Sequence, residues 1–319
     1  MPVVVTLTLS PALDKSTSVP TLVPDQKLHC AAPTVAAGGG GINVARGLRR
    51  LGTLATAVFP AGGPTGACLQ ELLTAEGIAQ CVVPTQAPTR ENLEIEETST
   101  GRQYRFGMPA AALSAAEQQR LLDALADFVR PPQLLVVSGS LPPGVAPGFL
   151  GQVVRQAHAA GTRVVADTSG PALCEAVAAG AFLIKPNREE LGQLAGTGPL
   201  ADDAALLAAA RPLVGPGGCG AVLVSLGAQG ACLVAPGLEE FIAAPAAKRR
   251  STVGAGDSLV AGLVHALAHG HSLREAARLG VACGTAATLN PGTELFHRAD
   301  AEALYRELLR TMPAEFALA

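Results

Sequence analysis

The sequence predicts an α/β protein: a three-layer α/β/α sandwich around a mostly parallel sheet, with a small β lid. Two observations carry the sandwich. Short runs rich in Val, Leu and Ile, bounded by Gly, Pro, Ser or Asp, recur along the chain with Ala/Leu-rich helical patterns between them. The runs are almost continuously apolar rather than alternating, as strands covered by helices on both faces must be. A third observation predicts the lid: one segment breaks this rhythm and alternates apolar with acidic residues.

Taken in order, the expected strands are Val3–Leu9, Ala55–Phe59, Leu134–Ser138, Arg163–Asp167, Phe182–Ile184 and Ala221–Leu226. The expected helices are Ile42–Leu51, Thr65–Ala75, Ala115–Val129, Phe149–Ala159 and Ala201–Leu213. Strand and helix repeated this often argue for a parallel sheet with crossover helices. Asn92–Thr98 sets Leu93 and Ile95 against Glu94 and Glu96, turns at Ser99-Thr100-Gly101 and returns through Arg102–Met108, the pattern of an antiparallel hairpin with one polar face. With the extended stretch Ser16–Val35 it is expected to form a lid or a dimer contact, the lid elements spanning about 15–35 and 88–109. From Thr252 onward the pattern is helix upon helix, and no linker divides the chain, so residues 1–319 read as one domain.

Composition removes several function classes. With 36 glycines and 24 prolines the chain is rich in turn formers, yet 49% of its residues are hydrophobic and its net charge is only −3, which does not fit a chain unable to build a core. Charged residues make up 15%, aromatics 3%, and Trp is absent, so the basic footprint and stacking platforms of nucleic-acid binding are missing. No run approaches the roughly 20 apolar residues of a membrane span. The opening MPVVVTLTLSPALDKS lacks the basic start and the apolar length of a signal peptide. The seven cysteines are scattered, with no C-x-x-C pair, and read as reduced thiols of a cytoplasmic protein.

The glycines mark where chemistry could sit. Gly38-Gly39-Gly40-Gly41 opens into a helix beginning at Ile42; it serves either to expose helix-start N–H groups to a ligand or as a tight turn between layers. Ser251-Thr252-Val253-Gly254-Ala255-Gly256-Asp257-Ser258 also runs into a helix, so Gly254, Ala255 and Gly256 can present consecutive N–H donors to an anion. Asp257 follows either as an acid complementing the helix dipole or as a base beside an anion hole, which phosphoryl transfer to an alcohol requires. No G-x-x-x-x-G-K-[ST] occurs, which excludes a P-loop, and Gly215–Gly220 matches G-x-G-x-x-G in the wrong place, before a strand. His265, His269 and His271 read as helix-terminal histidines rather than metal ligands.

Together these motifs resemble the ribokinase (PfkB-type) sugar kinase family. The resemblance is carried by Gly38–Arg46, Thr252–Ser258, Ser138-Gly139-Ser140-Leu141-Pro142, Asp167-Thr168-Ser169-Gly170, Lys185-Pro186-Asn187-Arg188-Glu189-Glu190 and Ser225-Leu226-Gly227-Ala228-Gln229-Gly230, in family order from about Thr6 to Asn290. It implies a ribokinase-like fold and a cytoplasmic kinase using ATP and Mg²⁺. Within the phosphosugar branch it implies conversion of fructose 6-phosphate to fructose 1,6-bisphosphate by in-line transfer. Sister branches acting on tagatose 6-phosphate or fructose 1-phosphate carry Lys at the third place of the glycine run, where this chain has Gly40. A sugar- or nucleotide-binding regulator without catalysis is the alternative of another class, and the intact Gly254–Asp257 run speaks against it.

The resemblance also implies roles residue by residue. Asp257 would be the catalytic base, and Gly254, Ala255 and Gly256 the anion hole for the γ-phosphate. Asp14, Gly39 and Asn43 would hold sugar hydroxyls, with Ser140 lining the same pocket. Lys27 and Arg90 match positions that bind the substrate's own phosphate, Arg105 is a further candidate, and His29 stands where relatives carry Arg. Lys185, Asn187 and the turn Ser225, Leu226, Gly227, Ala228, Gln229 and Gly230 match contacts to the ATP phosphates and ribose, with Val281 and Thr285 beside the adenine. Glu190 matches an acid that places Mg²⁺ through water. A K⁺ ion is implied among oxygens of Ser251, Val253, Ala287, Asn290 and Gly292, and a homodimer is expected to form through the lid.

Overall fold

The structure, a computed structural model, describes residues 4–311. The chain runs through β1 (Val4–Leu7), β2 (Ala12–Val19), β3 (Thr34–Gly38), α1 (Gly40–Leu51), β4 (Ala55–Ala61), α2 (Gly63–Ala75) and β5 (Ala79–Pro84). Then follow β6 (Arg90–Glu97), β7 (Arg102–Phe106), α3 (Ala115–Ala126), β8 (Leu134–Ser138), α4 (Gly148–Ala159), β9 (Arg163–Asp167), α5 (Gly170–Ala178) and β10 (Leu183–Ile184). It finishes with α6 (Arg188–Leu194), α7 (Asp203–Ala210), β11 (Val222–Ser225), β12 (Ala231–Ala235), β13 (Leu238–Ile242), α8 (Ala255–Ala268), α9 (Leu273–Ala287) and α10 (Arg298–Thr311).

Nine strands form the central sheet in the order β13-β12-β11-β10-β9-β8-β1-β4-β5, parallel from β11 to β5 and antiparallel at β12 and β13. The continuous apolar runs explain the three layers. Alternate residues of each strand go to opposite faces: Val5, Leu7, Leu135, Val137 and Ala166 join one core with α3, α4 and α5, while Val4, Leu134, Val136 and Val165 join another with α1, α8, α9 and α10. The expected sandwich is therefore the fold, and every expected strand and helix exists. Boundaries shift for local reasons. The first strand is Val4–Leu7, with Val3 outside the described residues. The helix expected over Ala115–Val129 stops at Ala126, and that expected over Ala201–Leu213 starts at Asp203, after its Asp202 cap, and tightens into a 3₁₀ turn at Arg211–Leu213. The edge hairpin β12–β13, strand β5 and helices α5 and α6 were not anticipated.

Gly215–Gly220 is the turn into β11 that its position suggested. His265 is half-buried, bonded through Nδ1 to Thr53 Oγ1 at 2.7 Å and stacked on His269 at 4.4 Å; desolvation, then the neighbouring charges, lower its pKa to about 4. Among the described residues no cluster of His, Cys, Asp or Glu suits a metal, and no helix is long and apolar enough to cross a membrane.

A second sheet, β3-β2-β6-β7, joins the Ser16–Val35 stretch to the hairpin, with β2 and β6 parallel. Its polarity is inverted relative to a surface hairpin. Asp14, Ser16 and Ser18 pair in register with Asn92, Glu94 and Glu96, and at Glu94 this polar face turns inward: Glu94 is only 8% exposed and lies over Gly292, while Glu96 nearer the turn is exposed. Leu93 and Ile95, paired with Phe106 and Tyr104, face away from it, leaving Phe106 44% and Val35 37% exposed.

The start of α1 is pressed onto the end of β1. Ile42 N donates to Thr8 Oγ1 at 2.8 Å, and a Cβ on Gly41 would lie 2.6 Å from Leu7 O. Gly41→Ala is expected to destabilise the fold by about 1–3 kcal/mol, read as a lower urea midpoint at unchanged slope. An unchanged midpoint would mean that α1 can slide away from β1.

Candidate active site

Two helix starts meet at the carboxyl ends of the parallel strands. Gly254, in the left-handed region at φ 70°, caps α8 and sends its first turn, Ala255-Gly256-Asp257, toward α1. Glycine 47 makes the approach possible: a Cβ there would sit 2.6 Å from the Ala261 Cβ. One turn nearer the helix starts, Asn43 Nδ2 donates to Asp257 Oδ2 at 2.9 Å. Asn43 is steadied in turn by Arg46, whose Nη1 lies 3.3 Å from Asn43 Oδ1 and whose Nε is paired with Glu76 at 2.8 Å.

Behind Asp257 stands a buried charged pair. Lys185 Nζ lies 3.0 Å from Asp167 Oδ1, and Ser138 Oγ sits between the two acids, 3.5 Å from Asp167 Oδ2 and from Asp257 Oδ1. Burial, reinforced by the nearby Asp167 charge, pushes the Asp257 pKa up to about 7, against the pull of Asn43, Lys185 and Ser138. Burial opposes the Lys185 charge as well, but Asp167, Glu190 and Asp257 outweigh it and raise its pKa. The ammonium stays charged next to the start of α8: a Cβ on Gly256 would lie 3.8 Å from Nζ.

On the lid side of Asp257, Asp14 Oδ1 accepts from Asn92 Nδ2 at 2.8 Å, and its carboxylate lies over Gly38, where a Cβ would collide with it. Gly39, at φ 114°, caps α1, and Ser140 is exposed just after β8. The sequence-derived sugar residues are thus brought to one side. The basic residues are less converged. Arg90 is anchored to backbone, its Nη1 donating to Met108 O at 2.9 Å and its Nη2 to Ser10 O at 3.2 Å, while its buried Nε has no partner among the described residues. Arg105 is exposed and 3.9 Å from Glu94, while Lys27 lies exposed on loop 20–33 and makes no hydrogen bond or ion pair among the described residues.

On the other side of Asp257 a cleft of about 470 Å³ lies between the turn after β11 and helices α8 and α9. Ser225, Gly227, Ala228, Gly230, Val281 and Thr285 line it; Leu226 and Gln229 belong to the same turn without lining it. Asn187 joins this wall through its bridge to Ser225. Asn187 and Glu190 form a capping box for α6: Glu190 N donates to Asn187 Oδ1 and Asn187 N to Glu190 Oε2, both at 2.8 Å. That box leaves Glu190 Oε1 available, a single carboxylate oxygen of the kind Mg²⁺ meets through water. Ser251 Oγ donates to Gly292 O at 2.9 Å, and Asn290, whose Nδ2 donates to Leu295 O at 2.8 Å, keeps its Oδ1. Ser251 and Val253 on one loop, Ala287 at the end of α9, and Asn290 and Gly292 on the loop after it thus bring neutral oxygens together, a donor set that fits a hard monovalent cation.

Several residues that matter here carry no individual sequence signal. Asp167 and Ser138 sit inside recognised motifs but look like strand ends, and Asn92 looks like one polar position of a hairpin. Arg249 lines the large cleft from a segment without repeating pattern. What the arrangement offers is a carboxylate titrating near neutrality, N–H donors at a helix start beside it, a cleft of about 470 Å³ on one flank and the polar side chains of Asp14 and Asn43 on the other.

Known proteins share this architecture. The family described as pfkB family carbohydrate kinase matches residues 8–298. The ATP-dependent 6-phosphofructokinase isozyme 2 of Escherichia coli (strain K12) is 44% identical over 306 residues, covering 96% of this chain and 98% of the relative. Phosphofructokinase-2 from Escherichia coli in complex with potassium superposes with a TM-score of 0.93 at 43% identity, over 97% of this chain and 99% of that one. The same enzyme in complex with fructose-6-phosphate superposes with a TM-score of 0.91 at 42% identity and the same coverage. With the match running through both helix starts and the cleft between them, the chain belongs to the pfkB family of carbohydrate kinases.

Proposed function

We propose that this protein is an ATP-dependent 6-phosphofructokinase that transfers the γ-phosphoryl group of ATP to the 1-hydroxyl of fructose 6-phosphate, giving fructose 1,6-bisphosphate and ADP. The observation that carries this reading is the Asp257 carboxylate, poised near pH 7 between the cleft and the Asp14–Asn43 side of the site. The relative 44% identical over nearly the whole chain is an ATP-dependent 6-phosphofructokinase, and its structural counterpart was captured with fructose-6-phosphate.

In this reading Asp257 takes the proton of the sugar hydroxyl as its oxygen attacks the γ-phosphorus, and the bond to the bridging oxygen of ADP breaks in line. The N–H groups of Gly254, Ala255 and Gly256, with the Lys185 ammonium, stabilise the transferring charge. Asp14, Gly39, Asn43 and Ser140 hold the sugar, and Arg90 with Lys27 binds its 6-phosphate. Arg105 reaches that phosphate from β7. Lys185, Asn187 and the Ser225–Gly230 turn hold the ATP phosphates and ribose, with Val281 and Thr285 against the base. Bound Mg²⁺ would neutralise phosphate charge; Glu190 is the residue to hold its water. A K⁺ ion among the oxygens of Ser251, Val253, Ala287, Asn290 and Gly292 would add positive charge behind the same N–H groups. The elements about 15–35 and 88–109 act as the lid of one domain, in the cytoplasm. Its outward apolar face, centred on Leu93, Phe106 and Val35, supports a homodimer through the lid.

Measured as ADP release, fructose 6-phosphate is expected to give a higher kcat/KM than fructose 1-phosphate or tagatose 6-phosphate; a reversed order would assign the chain to a sister branch. Asp257→Ala is expected to lower kcat by more than about 10²-fold with KM for ATP retained, and wild-type kcat/KM to fall as the pH drops through about 7. Near-normal turnover in that variant would remove the base. The same pKa predicts a stability effect of opposite sign. Because the folded chain keeps on Asp257 a proton that the unfolded chain releases, the ionised carboxylate destabilises the fold increasingly from the ordinary aspartate value of 3.8 up to about 7. Asp257→Asn should therefore raise Tm at pH above 7, with the gain disappearing in acid. For the dimer, light scattering should give about twice the 32.1 kDa chain mass, reduced to one chain by Phe106→Asp.

A further inference from the structure

We propose that Asn92 is a positioning residue for the sugar: it fixes the Asp14 carboxylate and ties its place to the segment 107–113, by which the lid returns to the body. The inference rests on the reading of Asp14 as a ligand of sugar hydroxyls.

The geometry is closed on every side. Strands β2 and β6 run parallel with Asp14 opposite Asn92, so the two side chains share the inward face of the lid. Asn92 Nδ2 donates to Asp14 Oδ1 at 2.8 Å, and Asn92 Oδ1 accepts from Met108 N at 3.1 Å. A carboxylate only accepts and a backbone N–H only donates, so the amide has one orientation that serves both, and no other side chain of this size offers a donor and an acceptor so placed. Beyond the bonded oxygen, the Asp14 carboxylate rests over Gly38, where a Cβ would collide with it. Two residues earlier on β6, Arg90 Nη1 donates to Met108 O at 2.9 Å and Nη2 to Ser10 O at 3.2 Å. Both backbone groups of Met108 are therefore held by side chains of one strand, and that strand also holds the carboxylate.

The electrostatics agree with this placement. Burial raises the Asp14 pKa, and the bond from Asn92 is the first influence opposing it, ahead of the charges of Arg90 and Arg46. Glu94, whose own pKa is raised by burial, is the like-charged group facing Asp14 from the next inward position of β6. Without the amide, Asp14 would face the sugar half-buried, less firmly ionised and free to rotate.

The test is steady-state kinetics of the full chain with fructose 6-phosphate and ATP across pH. Asn92→Ala is expected to raise KM for fructose 6-phosphate about tenfold or more, with kcat and KM for ATP little changed, because a bond to a charged group held before the sugar arrives is lost. Asn92→Asp is isosteric and can still accept from Met108 N, but it sets a second carboxylate against Asp14. Its KM for the sugar should climb as the pH rises and the shared proton leaves, a slope absent from the wild type. A merely structural role would lower Tm without producing that slope. Values for both variants within about twofold of wild type, with no added pH dependence, would overturn the inference. Should Asn92→Ala be too unstable to assay, Asn92→Asp decides alone. Asp14→Ala separates the two levels: an unchanged KM for the sugar would remove the Asp14 reading and the inference with it, whereas a large increase beside silent Asn92 variants would remove the inference only.

Discussion

Keeping the Asp257 carboxylate in a partly buried place at the start of α8 requires the surrounding elements to be where they are. Desolvation disfavours its charge, and the groups that offset this come from four elements: Asn43 from α1, Ser138 from the end of β8, Lys185 from beyond β10 and the N–H groups of α8 itself. Asp167, at the end of β9, pairs Lys185 and so adds negative charge behind the site while fixing the cation in front of it. The compromise leaves the carboxylate titrating near neutrality, useful for removing a proton from an alcohol and costly to a fold that must bury it.

This convergence follows from the parallel sheet. Strands β8, β9 and β10 are neighbours with their carboxyl ends on one edge, where turns into helices expose N–H groups and short polar side chains. The two glycine-rich loops bring helices to that edge from the same layer, and the absence of a side chain at Gly47 lets α1 and α8 close to contact. The charge-poor scaffold serves the same end: with both faces of each central strand apolar, the polar groups that remain are concentrated where the strands stop.

The lid obeys a different rule. Its inward face carries Asp14, Asn92 and Glu94, while Leu93, Ile95, Tyr104 and Phe106 share the outward face with Lys15, Glu97 and Arg102. Asp14 and Asn92 sit on that inward face as one hydrogen-bonded unit, with Met108 attached to it. The Asp14–Asn92 pair and the lid are therefore parts of the same small sheet.

How much of this was readable in the chain depends on whether the cause was local. Continuous apolar runs and helical spacing are local, and they gave the sandwich, six strands of the central sheet and five of the helices. The edge hairpin β12–β13 was missed although its strands, five residues each, match β8 and β9 in length; β13 carries Glu239 and Glu240 and so lacks a continuous apolar run. The glycine-rich helix starts were legible because a backbone that must present N–H groups selects glycine wherever it occurs. Asp167, Ser138, Asn92 and Arg249 were not, because each is an ordinary residue type at an ordinary place whose meaning comes from a neighbour dozens of residues away. The amino-acid sequence by itself determined the layers, the helix starts and the residue types available for chemistry, since these depend on periodicity and backbone freedom. Only the tertiary structure decided which face of the lid turns inward and that Asp257 titrates near pH 7. It also decided that Arg90 is anchored to the backbone of Ser10 and Met108 while its Nε keeps an N–H free among the described residues. Burial, charge pairing and register are properties of chains already brought together in space.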